Sequence, residues 1–140
     1  MTNTTSVVTL KASGAELVST TKAGVKFRDT YKEAMVLLDV TVPATAVGDT
    51  LDVYIDTSTD GGTTWVNVGH FTQVLGNGGA KKFVMALNSS NPGASAVTDV
   101  TSDAAAGATR QYGVADRIRS RSVIAGGTAS FTYSVKAFLK

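Results

Sequence analysis

Apolar and polar positions alternate with a period of two along most of this chain. In "LDVYIDT", Leu51, Val53 and Ile55 fall on one side and Asp52, Tyr54 and Asp56 on the other. That is the pattern of a strand with one buried and one polar face. "EAMVLLDVTV" (Glu33–Val42) begins as a dense apolar run and then alternates through Leu38, Val40 and Val42, as a central strand does. "WVNVGHF" (65–71), "KKFVMAL" (81–87), "DRIRSRSVI" (116–124) and "SFTYSVKAF" (130–138) read as further strands, and one more is expected near "SVVTL". The Gly-rich stretches "GNGGA" and "AGGTA" read as hairpin turns. No segment holds a helical period over several turns, and "TKAGVKFRDTYKEA" is the one stretch given a short helix.

Strands at this short spacing predict an all-β fold: one antiparallel β-sandwich domain over residues 1–140, jelly-roll or Ig-like, with about seven to eight strands. The expected core is Leu38, Val40, Val53, Ile55, Ile118, Tyr133 and Val135. Residues 1–32 are read as an extended N-terminal segment. Residues 88–113 are read as one long irregular loop, rich in Ala, Ser, Gly, Thr and Asp, too poor in apolar side chains to hold itself down.

Composition narrows the class. The chain has 140 residues, 20 of them Thr and only two Pro, which suits pleated strands. It has no cysteine, so neither a disulfide framework nor a thiolate metal site is expected. "MTNTTSVVTL" has no basic start and no long apolar stretch, so no signal peptide is expected, and "AMVLL" is far too short to cross a bilayer. Net charge is +2, but residues 1–32, 33–80 and 81–140 carry +3, −6 and +5. Such segments can pair across strands of one sheet, or can orient a partner.

One short motif invites a catalytic reading. "STDGGTTW" (58–65) has the spacing S-x-D-x-G-x-T-W and resembles the Asp-box of sialidases and related β-propellers. In those proteins the motif is a structural hairpin remote from the chemistry. Hairpin geometry accounts for each residue type here. Asp60 accepts backbone N–H groups of the turn, starting beside Ser58, and Gly61 and Gly62 take positive φ. Thr64 closes the turn and Trp65 packs over it. A propeller repeats its signature once per blade of 40–50 residues or so, and this chain carries it once.

Other chemistry is sparse. His70 is the single histidine, with no G-x-S-x-G and no evident triad, and is expected on a strand facing solvent or an interface. Asp52, Asp56 and Asp60 could gather carboxylates near the turn, but the spacing is not that of a calcium loop, and no metal or cofactor is expected. In "RIRSR", Arg117, Arg119 and Arg121 fall on one strand face. They can pair with Asp52 and Asp56 or dock on an acidic partner, which the planar guanidinium suits. No aromatic platform or RNA-binding pattern marks a nucleic-acid binder.

Taken in order, "MVLLDVTV", "LDVYIDTSTDGGTTWVNV", "RIRSRSVI", the Gly-Gly turn and "SFTYSVKAFL" resemble small β-sandwich virion proteins of tailed bacteriophages, over about three quarters of the chain. The resemblance implies a non-enzymatic structural protein of the virion. Head decoration (cement) is the first expectation, with the major capsid protein or further copies of the chain as partners on the capsid surface. A tail or head–tail connector component stays within the same class. A carbohydrate-binding sandwich, using Tyr54, Trp65 and Tyr112 as stacking rings, is the alternative from another class.

Overall fold

The computed structural model describes residues 6–27, 31–88, 99–110 and 114–140. Among these the chain forms strands and no helix: β1 (Ser6–Glu16), β2 (Thr20–Thr21), β3 (Val25–Lys26), β4 (Glu33–Val42), β5 (Thr50–Ser58), β6 (Val66–His70), β7 (Val74–Leu75), β8 (Lys81–Asn88), β9 (Ala108–Thr109), β10 (Arg117–Ala125) and β11 (Phe131–Leu139). In the stretch expected to be helical, "TKAGVKF" instead runs from the end of β2 through β3, which pair with the middle and the start of β10, and Glu33 and Ala34 open β4. Gly24 and β-branched Val25 favour extended backbone, and β10 offers a ladder to complete.

Two antiparallel sheets result. The smaller has the order β1-β11-β4-β8, the larger β2-β10-β5-β6-β9, with β3 also on β10 and β7 also on β5. With β2 and β3 counted as one interrupted strand, the principal strands stand first, eighth, third and sixth in one sheet. In the other they stand second, seventh, fourth and fifth. This is jelly-roll order, the arrangement found in viral capsid and lectin domains.

The sheets face each other across a single core. All seven expected core residues are there, none more than 2% exposed. Alternation explains why: on β4 the even positions 34 to 40 are buried, and on β11 the odd positions 131 to 139 are.

The two Gly-rich turns do not close hairpins. "GNGGA" leads from β7, paired to β5, into β8, paired to β4, and "AGGTA" leads from β10 to β11 in the other sheet. Glycine marks where the chain reverses, not which strand it rejoins. At Gly126 the backbone has φ 123°, and an added Cβ would lie 1.9 Å from Asp49 Oδ1. Only glycine lets the crossover pass this close to the buried Asp49.

Edge strand β1 breaks its alternation. Its register with β11 slips between Thr9 and Lys11 and again between Lys11 and Gly14, so Leu10 and Lys11 both turn inward. The Lys11 ammonium donates to the carbonyls of Ala12, Gly14 and Tyr133 at 2.9, 3.0 and 2.7 Å and sits 4.0 Å above the Tyr133 ring. Burial lowers its pKa. Beside it, Glu16 accepts from the Tyr133 hydroxyl and the Lys22 ammonium, each at 2.5 Å. Burial works to raise the Glu16 pKa, but hydrogen bonds from Lys22, Tyr133 and Thr20 outweigh it and hold the group below its ordinary value. The Tyr133 hydroxyl is pushed up, first by burial and then by Glu16.

Candidate functional site

The outer face of the larger sheet gathers the polar residues that the sequence singles out. The Asp-box stretch joins β5 to β6, which pair antiparallel, so this turn is a hairpin. Asp60 Oδ1 accepts from the Thr64 amide at 2.7 Å, the Thr63 amide at 3.1 Å and the Ser58 hydroxyl at 2.8 Å. Ser58 Oγ in turn accepts from the Gly62 amide at 2.9 Å. Gly61 and Gly62 have φ of 73° and 100°. The Thr64 amide foremost, then the Thr64 and Ser58 hydroxyls, hold the Asp60 carboxyl at about 2, below its ordinary 3.8. Trp65 Nε1 donates back to the Gly62 carbonyl at 2.9 Å. Ser58, Asp60 and the Trp65 indole N–H are thus engaged in closing the turn.

Arg117, Arg119 and Arg121 share the outward face of β10, and β10 runs beside β5 over nine unbroken register pairs with Arg119 opposite Asp56. Asp56 is buried, and Arg119 Nε and Arg121 Nε each donate to its Oδ2 at 3.0 Å. Asn67 Nδ2 donates to its other oxygen at 3.1 Å. The ends of this cluster are closed by rings. Arg119 lies 4.3 Å from the Trp65 ring and Arg121 lies 4.3 Å from the Tyr54 ring. Gly24 lies against the six-membered ring of Trp65. The ladder therefore reads Trp65, Arg119, Asp56, Arg121, Tyr54. The stripe faces outward as period two demands, and two of its three guanidinium groups are matched within the chain. Arg117 lies nearest Asp116, at 3.5 Å.

His70 extends the ladder, and the expectation that it faces solvent or an interface is corrected. It is buried, stacked on Tyr54 at 4.0 Å, with Nε2 2.8 Å from Asp52 Oδ1 and Nδ1 3.0 Å from the Ala104 carbonyl. Both ring nitrogens are engaged, one by the Asp52 carboxylate and one by the Ala104 carbonyl. The cover comes from the long loop. Ala104 is buried and its amide donates to Asn67 Oδ1 at 2.9 Å; Asp103 pairs with Arg121 at 2.6 Å; β9 pairs with β6; and Arg110 donates to the Ser102 carbonyl. Residues 99–110 are thus pinned by polar and backbone bonds, where the sequence reading weighed only apolar burial. Residues 89–98 and 111–113, with Tyr112, lie outside the described residues. Among the described residues no group of three or more acidic or histidine side chains is placed to hold a metal ion, and Asp52, Asp56 and Asp60 are each engaged separately.

The opposite face of the sandwich is built differently. The outward side of the smaller sheet carries Val7, Phe138, Met35 and Ala86 in one cross-strand row and Thr9, Lys136, Leu37 and Val84 in the next. Val7, Met35 and Val84 are exposed by 56, 46 and 65%. Sequence reading missed this face. Its signal is "EAMVLLDV", where the positions between the core residues are Met35 and Leu37 and not polar ones.

No protein-family model matches the chain, and no curated protein matches it. Among solved structures, the chain is similar to one in "Structure of infectious bursal disease virus Gx strain", with 16% identity and a TM-score of 0.51. The match covers 97% of this chain and 31% of that one, so this chain spans about a third of the other's length. At that identity the likeness is one of fold, and it agrees with the jelly-roll order found here.

Proposed function

We propose that the chain is a non-enzymatic structural protein of a virus particle, and within that class a capsid decoration protein of a tailed phage, binding the major capsid protein. The jelly roll serves both capsid and lectin domains, so the fold alone does not choose between a shell protein and a sugar module. The observation that carries the choice is the contrast between the two outer faces. Sugar binding wants open aromatic faces beside free polar groups, but Trp65 and Tyr54 are covered by guanidinium groups, which are themselves held by Asp56. The smaller sheet instead leaves an apolar face open to a protein. The likeness to a chain from a virus structure and the resemblance to phage sandwich proteins support the same reading. A cement protein acts by bridging neighbouring subunits, and weak contacts suffice when repeated over a symmetric shell.

The test is mass spectrometry of purified phage particles, with heads and tails fractionated. Decoration requires the chain in the head fraction at many copies, and heads stripped of it should lose integrity at lower temperature. Presence in tails alone would move the protein to a tail role. Absence from particles, together with polysaccharide binding by the isolated monomer, would replace the reading by the sugar module.

A further inference from the structure

We propose that the outer face of the smaller sheet is the face that seats the protein on its shell, and that the surface it meets is apolar with a carboxylate set opposite Lys136. This rests on the virion reading above for the identity of the partner. Three observations assign the face. First, it is apolar across all four strands: Val7, Phe138, Met35 and Ala86 stand in register, followed by Leu37 and Val84. Contiguous exposed apolar surface on a small domain marks an interaction site. Second, a groove of about 430 Å³ runs into this row between Met35, Ala86 and Phe138, with Glu33 and Lys140 at its rim. A side chain from outside can anchor there, as interface hot spots do. Third, the outer face of the larger sheet is closed by its own ladder and by residues 99–110, so the molecule has one polar face and one adhesive face.

Charge decides between a second copy and a different protein. Lys136 is exposed on central strand β11, with Leu37 and Thr9 as its cross-strand neighbours. Among the described residues it has no ion-pair partner. The nearest acid by register is Asp39, on the next row, which stands opposite Lys82. A two-fold contact centred on this patch would bring two Lys136 ammonium groups together among apolar side chains, where burying unpaired charge is costly. A heterologous surface with an aspartate or glutamate at that point satisfies the ammonium and fixes the register of docking.

The chain has no cysteine, so single introduced ones report cleanly. Val84→Cys lies on the proposed face, and Val123→Cys, 40% exposed in the wild type, lies on β10 of the other sheet. Each variant is loaded on particles lacking the wild-type chain and reacted with a maleimide. The expected result is labelling of Val84→Cys slowed at least tenfold on particles relative to the free protein, with Val123→Cys unchanged. Equal labelling of Val84→Cys on particles and free would overturn the face while leaving the virion reading intact. Absence of the wild-type chain from particles would end that reading and this one with it. Protection of Val84→Cys in a free dimer, seen by sedimentation, would give the face to a second copy. Lys136→Glu should bind particles at least tenfold more weakly, and more weakly than Lys136→Ala, with the melting temperature unchanged. Wild-type occupancy of Lys136→Glu would remove the carboxylate partner.

Discussion

Asp56→Asn tests the arginine ladder most directly. The substitution keeps the shape of the side chain and removes its charge, leaving Arg119 and Arg121 facing a neutral amide. In the wild type the Asp56 side chain is 3% exposed and the two arginines 21% and 22%. Removing one member of a fully buried pair costs about 3–5 kcal/mol, because the other charge is stranded. Here each arginine side chain keeps about a fifth of its surface in water and Arg121 keeps Asp103, so the expected loss is smaller, about 2–3 kcal/mol. With an unfolding entropy of about 2.1 cal/mol/K per residue, that loss lowers the melting temperature by roughly 7–10 °C. Thermal denaturation followed by circular dichroism measures it. Trp65 gives a second readout, since loss of Asp56 frees Arg119 from its place over the ring and shifts the tryptophan emission. A double-mutant cycle with Arg119→Gln should return a coupling of at least about 1 kcal/mol. A fall of less than about 2 °C, or additive single losses, would refute the claim that this carboxylate organises the face.

The other predictions concern turns and the inverted lysine. Because the Asp60 pKa is held at about 2 in the folded chain against an ordinary 3.8, its contribution is complete above pH 4 or so and is lost as pH falls toward 2. An NMR titration should find this carboxyl protonating at about 2, and titration at the ordinary value would contradict the turn geometry. Gly126→Ala, at φ 123° and against Asp49, should cost about 1–3 kcal/mol, read as a lower urea midpoint with unchanged slope. Lys11→Met keeps the stem but leaves three carbonyls without their donor. It should cost about 1–3 kcal/mol by melting, and a variant as stable as the wild type would show that the ammonium is dispensable.

Strand positions were legible because one face of each long strand is buried, so period two survives in the sequence. Glu33–Val42 was readable to the residue, and the core from Leu38 to Val135 followed from the same alternation. The Asp-box was legible because its bonds are local, spanning four residues at most. What was hidden depends on partners far apart along the chain. Arg119 and Asp56 are 63 residues apart, and only the β5–β10 pairing makes them neighbours. His70 reads as an exposed polar residue until Asp52 and Ala104 close around it. Gly-Gly turns announce a reversal without naming the sheet that receives the chain. The apolar outer face was hidden for a different reason: a dense run such as "AMVLL" fits a doubly buried strand equally well, and among the described residues no second layer covers it.

The slipped register of β1 bears on how copies behave when crowded. The smaller sheet ends in β1 on one side and β8 on the other. β8 keeps an unbroken eight-pair register with β4, so its outer backbone is a straight template for another strand. If β1 were equally straight, the free edge of one copy would fit the opposite free edge of the next, and a sheet could grow from molecule to molecule without closing. The two register slips, with Lys11 drawn inward between them, leave β1 kinked and unable to offer a matching ladder. Linear polymerisation then lacks one of its two ends, and crowded copies can stay separate without turning into a fibre.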